Sequence, residues 1–401
     1  MIQKRLMKRV ALISLSTPTF NNVRAASALP YHLMLGAEAC GDTAFEIWSF
    51  NINDVKEQEI KETEENLKTK VHLVDRPWWY RWMFKLHLVF LRILFRYPLL
   101  SYFRLSDQSV KAIADYRPDI VWIYGEELFG LARHFKNIRV IATGPDCESM
   151  YYHRCLTKNW MSDCLSKVMR YAFAYWQYRG MERDYWQKRV TYHFVGERDA
   201  AFFKTIRPEA DVRFIRHPHY AWRAKTIHFH SPKIRLLFAG RYDLYCQHGT
   251  DDLLNALDDD LSHSFEITFL GKGWEPWCEQ LRARGWTVSV VNFAPDYIEE
   301  LQKHDIQVNA IDLGTGTKGK VLDAISNGLL ELGTPYALEN IAVKHGESCL
   351  VFHASSEAIS LLKDIADSPA KYEQMAEKGR QCVLDEHARK KVATELFLFD
   401  K

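Results

Sequence analysis

The sequence predicts an α/β protein built from two doubly wound, parallel-sheet lobes. Three observations carry that reading. Apolar β-rich runs alternate with helix-period segments almost throughout, the pattern of parallel sheets covered by helices. The alternation fails once, over His217–Lys233, where two prolines and four histidines follow no clear period. The length, 401 residues, suits two domains of similar size. The expected lobes are residues 1–220 and 221–401.

The strands follow in order. In the first lobe they are Arg9–Leu15, Ala44–Phe50, Val71–Val74, Asp119–Tyr124, Arg139–Thr143, Thr191–Val195 and Val212–Ile215. In the second they are Ile234–Ala239, Glu266–Leu270, Thr287–Val291, Ile306–Ala310, Leu330–Leu332 and Cys349–Phe352. Sheets of this kind bind ligands beyond the carboxyl ends of their strands. Two such lobes facing one another would place a site in the cleft between them.

Composition is that of an ordinary globular chain, with 47% hydrophobic and 26% charged residues. A net charge of +2 gives no electrostatic footprint for nucleic acid. The eight cysteines form no C-x-x-C pair and no zinc spacing, so they read as free thiols of a reducing cytoplasm. The start, MIQKRLMKRVALISLS, has the basic-then-apolar order of a leader, but its apolar run Val10–Ser16 is short and no small-residue cleavage pattern follows. It reads as a buried first strand. No apolar stretch is long enough for a transmembrane helix.

The most informative segment is AIDLGTGTKGKVLDAISNGLLELGTPYALENI, from Ala310 to Ile341. It reads as the end of a strand, a Gly/Thr-rich loop, then a helix from Gly319 to Asn327 closed by Gly328. Glycines let backbone N–H groups approach an anion, and the helix N-terminus directs its dipole to the same point. Lys318 and Lys320 add formal charge where, unpaired, they would oppose that dipole. Gly314, Thr315, Gly316, Thr317, Lys318, Gly319 and Lys320 together describe a phosphate or diphosphate site. The spacing also approaches the P-loop pattern G-x-x-x-x-G-K. Position 321, where a magnesium-binding Ser or Thr belongs, is Val. A glycine loop that only turns tightly fits the same residues.

This segment resembles the donor region of retaining glycosyltransferases of the GT-B type, the large family four. There a Gly/Thr-rich loop precedes K-[IV]-L-E-A, a small apolar stretch and G-x-P. The counterparts are Lys320-Val321-Leu322-Asp323-Ala324, Gly328 and Gly333-Thr334-Pro335. The resemblance implies a GT-B fold, with Lys320 on the donor diphosphate and Asp323 on the ribose hydroxyls. The family's usual Glu is Asp at 323, and a frequent earlier Glu is Thr315. It also implies that Gly240-Arg241, after the strand of IRLLFAGRYDLYCQHGTDD, contacts the donor phosphates. His248-Gly249 stands where relatives carry Lys-Gly, replacing a permanent charge by a titrating one. A surface turn with an incidental arginine is the plainer account of Arg241.

In the first lobe, STPTFNNVR (Ser16–Arg24) occupies the loop that meets the acceptor in relatives, with Asn22 and Arg24 as the contacts implied. ATGPDCESMYYHR (Ala142–Arg154) follows a buried strand and offers Asp146 and Glu148 for acceptor binding or for taking the hydroxyl proton. A proline turn with capping carboxylates explains the same residues. Gly196-Glu197-Arg198-Asp199 resembles a structural strand-to-helix element.

Residues 76–105 hold six Arg or Lys, no Asp or Glu, and many aromatics. On one continuous helix, Arg81, Lys85, Arg92 and Arg96 lie within about 60° of one another. Such a stripe suits peripheral contact with an anionic membrane. A solvated stripe on an interlobe helix suits it equally.

The resemblance therefore implies transfer of a sugar from a nucleotide-diphosphate sugar to a hydroxyl acceptor, a glycan or lipid-linked glycan of cell-surface polysaccharide. Retention, no metal, no cofactor and no nucleic-acid partner go with it, in the cytoplasm or at the inner membrane face. Arg241 and Lys320 would stabilise charge on the leaving diphosphate, and Asp146 would serve the acceptor. Asp258–Asp260 reads as a solvated acidic patch rather than a metal site. A non-catalytic GT-B partner subunit and a nucleotide-sugar 2-epimerase are the alternatives.

Overall fold

A computed structural model describes residues 7–20, 25–159, 164–242 and 247–398. The chain divides into two compact units: Met1–Pro218 with Arg389–Lys401, and His219–Ala388.

The first unit contains seven strands, β1 (Lys8–Ser14), β2 (Thr43–Ser49), β3 (Lys70–Leu73), β4 (Ile120–Tyr124), β5 (Arg139–Gly144), β6 (Val190–Phe194) and β7 (Asp211–Phe214). They form one sheet in the order β3-β2-β1-β4-β5-β6-β7, and every pairing is parallel. Strand β1 shows why the run is apolar without alternation. Val10 and Leu12 pack into one core cluster, Ala11 and Ile13 into the other, on the opposite face. A parallel strand covered on both sides has no polar face.

The second unit has β8 (Ile234–Ala239), β9 (Phe265–Leu270), β10 (Val288–Val291), β11 (Ile306–Asn309), β12 (Leu330–Gly333) and β13 (Leu350–Val351). Their order is β10-β9-β8-β11-β12-β13, again with parallel pairings. All the strands expected from the sequence are present, with ends shifted by a residue or two.

Two expectations require correction. The helix Arg389–Phe397 belongs to the first unit, not to a second lobe running to residue 401. Val392, Ala393, Leu396 and Phe397 are buried there, and the Phe397 ring meets Phe45 and Trp122 at centroid distances of 5.4 and 5.0 Å. Burying Val392, Leu396 and Phe397 is worth roughly 1.5–3 kcal/mol each. Gly36 admits the returning chain: a β-carbon there would lie 2.2 Å from the Arg389 carbonyl oxygen.

The second correction concerns residues 76–105, which do not form one helix. The helix Trp78–Lys85 ends before His87, whose φ of 54° is left-handed. Short 3-10 turns follow at Leu88–Leu94 and, after Pro98, at Leu99–Tyr102. The cations expected on one stripe are therefore spread over separate elements, and Arg96 is paired with Asp184 at 2.6 Å. Among the described residues, no helix is long and apolar enough to cross a membrane.

Candidate functional site

In the second unit the strand order reverses between β8 and β11, the topological switch point where sheets of this class bind ligands. The two strands pair only at Ile306↔Leu236 and Gln307↔Leu237. Beyond these pairs β8 runs on to Ala239 and β11 to Asn309, so the carboxyl ends part. The loops that leave them carry Gly240-Arg241 and Gly314–Lys318.

Gly240 has φ +115°, a conformation that disfavours any side chain. A β-carbon on it would lie 2.1 Å from the Lys320 Nζ. The ammonium of one motif thus sits against the backbone of the other. The Gly240 turn is held from behind: its N–H donates to Leu270 O at 2.7 Å, and Trp274 Nε1 donates to its carbonyl at 2.8 Å. Trp274 in turn stacks on Phe269, with centroids 4.6 Å apart. Lys320 is exposed and makes no ion pair with any described residue. Arg241 and His248 are exposed as well.

Gly249 brings the helix Gln247–Ala256 against the end of β11. A β-carbon there would be 2.3 Å from the Ala310 carbonyl oxygen. The helix Gly319–Ser326 begins where expected and is closed by Asn327 and by Gly328 at φ +87°. Gly319 lies in open space, which leaves room for an anion at the helix start.

Lys318 differs from the reading as a second phosphate cation. Its Nζ donates to the Thr315 carbonyl at 2.5 Å, and a β-carbon on Gly314 would lie 3.0 Å from that nitrogen. It braces the loop that it was expected to charge. Gly314 and Gly316 are buried and Thr315 and Thr317 half-buried. The next loop supports them: Asn340, at φ +70°, donates from Nδ2 to Gly316 O at 2.9 Å. Thr334 Oγ1 also donates to Ile311 O. Neither Asn340 nor Trp274 carries a signal in the sequence, since each acts through a backbone carbonyl far along the chain.

Asp323 is only 2% exposed. Its neighbourhood is polar. Burial pushes the Tyr297 hydroxyl upward, with help from Asp323 and Glu331. Glu331 accepts from Asn309 Nδ2 at 2.6 Å, and burial holds its carboxyl well above the usual range. Asp258 and Asp259 are not a bare acidic patch but pair with Lys363 at 2.6 Å and Arg284 at 2.8 Å.

In the first unit, Asn22 and Arg24 lie outside the described residues. Asp146 and Glu148 follow β5, at the start of the helix Glu148–Asn159. Cys147, between them, is buried and its N–H donates to Asp199 Oδ1 at 2.8 Å. Glu148 N–H donates to Glu126 Oε2 at 3.1 Å. Burial raises the Glu148 carboxyl well above the carboxylate range, with Glu127 and Asp146 adding to the effect. Glu126 and Glu182 are buried beside it and are likewise raised by burial. No local pattern in the sequence marks these two, since each is buried by packing between elements far apart along the chain.

The fold defines an α/β protein of the GT-B class, with a topological switch point in the sheet of its second unit. Residues 250–397, a stretch that includes the glycine loop, match a family model described as "Glycosyl transferase-like". No curated protein matches the chain in sequence. Among solved structures, the chain is similar to sucrose-phosphate synthase from Thermosynechococcus elongatus, with TM-score 0.66 and 11% identity, over 97% of each chain. HepE from Anabaena, solved in complex with UDP, gives TM-score 0.60 and 10% identity over 97% of this chain and 98% of that one. WaaG, a glycosyltransferase involved in lipopolysaccharide biosynthesis, gives 0.56 and 12% over 97% and 99%. At such identities the likeness establishes the GT-B fold.

Proposed function

We propose that the chain transfers a sugar from a nucleotide-diphosphate sugar to a hydroxyl acceptor, with retention and with no metal on the diphosphate. The observation that carries this is Lys320 Nζ seated over Gly240 at the β8/β11 switch point. The exposed Lys320 ammonium lies against the Gly240 turn and the helix N-terminus at Gly319 is open, and the neighbouring Arg241 would add its charge where a diphosphate binds. As the glycosidic bond breaks, negative charge grows on the β-phosphate. Cations and backbone amides already in place stabilise that charge without reorganising. His248 adds to it when protonated. The donor-bound HepE structures, with UDP and with UDP-glucose, share the fold and support this reading.

For the acceptor we favour a glycan or lipid-linked glycan, served from the first unit by Asp146. With its carboxyl raised by burial, Glu148 suits holding a hydroxyl rather than taking its proton. WaaG, whose fold is shared, acts in lipopolysaccharide biosynthesis. Peripheral contact at the inner membrane face accords with exposed Trp78, Trp82, Phe90, Ile93 and Leu94 beside Arg81, Lys85 and Arg92.

The test is a thermal-shift screen of nucleoside diphosphates and their sugars on wild type and Lys320→Ala. At about 100 times its dissociation constant, a ligand adds roughly 2.7 kcal/mol. A shift for one diphosphate, lost in Lys320→Ala, is expected. No shift with any of them overturns the donor site. Binding without transfer or donor hydrolysis leaves the non-catalytic partner subunit as the better reading.

A further inference from the structure

We propose that the first unit holds a binding pocket for an anionic sugar unit, a saccharide carrying a phosphate or a carboxylate. Its role as the charged part of the acceptor rests on the transferase reading above; the binding itself does not. A cavity of about 870 Å³ lies beyond the carboxyl ends of β2 and β3, and every residue that lines it belongs to the first unit. Phe50 and Asn51 follow β2 directly, and residues 74–77 follow β3. Sheets of this class bind ligands at that end, and the volume suits a small molecule.

The walls are held from outside. Asn51, at φ 49°, accepts from the Val55 N–H at 2.9 Å and donates to Val55 O at 3.1 Å. Arg76 pairs with Asp54 at 2.8 Å. The helix Trp78–Lys85 is anchored by one side: its Tyr80 and Trp79 rings meet Phe103 at centroid distances of 5.3 and 5.9 Å, and Met83 is buried. Trp78, Arg81, Trp82 and Lys85 have the i, i+3, i+4, i+7 spacing of one helix face, and all four line the cavity. Trp78 is 78% exposed and Trp82 52%, a large apolar surface left in water beside two cations. Arg81 and Lys85 are exposed as well, and neither makes an ion pair with any described residue.

This set fits one kind of ligand. Indole faces pack against the apolar C–H face of a sugar ring. A guanidinium and an ammonium meet an anionic group, Arg81 with the fork geometry that matches phosphate or carboxylate. Lys85 Nζ lies 5.6 Å from the Trp82 ring centroid, so charge and stacking surface are adjacent. The Asp75 carboxylate, also on the wall, accepts from hydroxyls. A bare anion site has no use for two indoles. A bilayer needs apolar side chains that stand out from the surface, and the exposed Phe90, Ile93 and Leu94, which do not line the cavity, are left for that contact.

The experiment is isothermal titration of the full chain with glucose, galactose and N-acetylglucosamine, each free and as its anomeric phosphate, and with glucuronate and inorganic phosphate. Co-sedimentation with phosphatidylglycerol vesicles accompanies it. At least one anionic sugar should bind with a dissociation constant of about 1 mM or tighter, as suits so small a ligand. It should bind at least about tenfold better than the neutral sugars or inorganic phosphate. Whether phosphates or glucuronate bind identifies the anionic group. Arg81→Glu should weaken binding by about tenfold or more, and Trp82→Ala by about three- to tenfold. Both side chains are exposed, and circular dichroism checks that the variants are folded. Wild type that binds no anionic sugar, or binds neutral sugars or inorganic phosphate as tightly, overturns the proposal. So does sugar binding unchanged in both variants. Vesicle binding lost in Arg81→Glu, with no sugar bound, overturns it in favour of a membrane face. The nucleoside-diphosphate screen reads the second unit separately: a chain that binds the anionic sugar but no nucleoside diphosphate keeps this pocket while the transferase reading fails.

Discussion

The Lys320 ammonium rests against the α-carbon of Gly240, so closely that a β-carbon there would lie 2.1 Å from Nζ. Gly240→Ala therefore does two things: it strains a backbone at φ +115°, and it drives Lys320 from its seat. It should cost about 1–3 kcal/mol of stability and weaken nucleoside-diphosphate binding at least as much as Lys320→Ala. The two effects on binding should not add, since both act through one ammonium. Isothermal titration of the single and double variants measures this; additive losses would refute the relationship.

Asn340 holds the glycine loop through Gly316 O. Asn340→Gly keeps the left-handed backbone and removes the side chain's hydrogen bond to Gly316 O, worth about 1 kcal/mol. We expect donor affinity to fall about fivefold with little change in melting temperature. Unchanged affinity would show that the loop holds its shape without this bond.

At Gly249 a β-carbon would overlap the Ala310 carbonyl oxygen at 2.3 Å. Backbone cannot yield as a flexible side chain does, so Gly249→Ala should destabilise the second unit by about 1–3 kcal/mol. Urea denaturation reads this directly, and a variant as stable as wild type contradicts the packing described.

His193 makes stability depend on pH. Trp122 Nε1 donates to Thr143 Oγ1 at 2.8 Å, the hydroxyl faces His193 Nδ1 at 3.0 Å, and His193 Nε2 faces Ile215 O at 3.1 Å. With Nε2 as donor and Nδ1 as acceptor, this chain uses a neutral ring. Burial lowers the His193 pKa to about 4, against about 6.5 unfolded. Above pH 6.5 neither state binds the proton. Between about 6.5 and 4 only the unfolded chain does, so stability is lost as pH falls, on the order of 3 kcal/mol in all. Denaturation at stepped pH should show a shallower slope in His193→Gln over that window. An identical slope would sink the assignment.

Much of the fold was legible because parallel strands buried on both faces must be apolar throughout, as Val10–Ile13 and Leu236–Phe238 are. The glycine loop and its helix were legible because a positive-φ closing glycine and a helix start are local events. The run from Arg76 to Leu105 misled because nothing local signals the left-handed His87 that breaks it. Lys318 misled for a related reason: residue type shows a charge but not that Nζ turns back to Thr315 O.

Two doubly wound units, their strands and a glycine-rich loop opening a helix at Gly319 follow from residue order alone, since periodicity and turn chemistry are written within short windows. Which distant groups meet is a matter of the folded packing. It set Lys320 on Gly240, returned Val392–Phe397 to the first unit, and gathered Glu126, Cys147 and Glu182 at the ends of β4 and β5. These contacts depend on strand order and close packing, which are settled by the burial of whole faces rather than by any local run of residues.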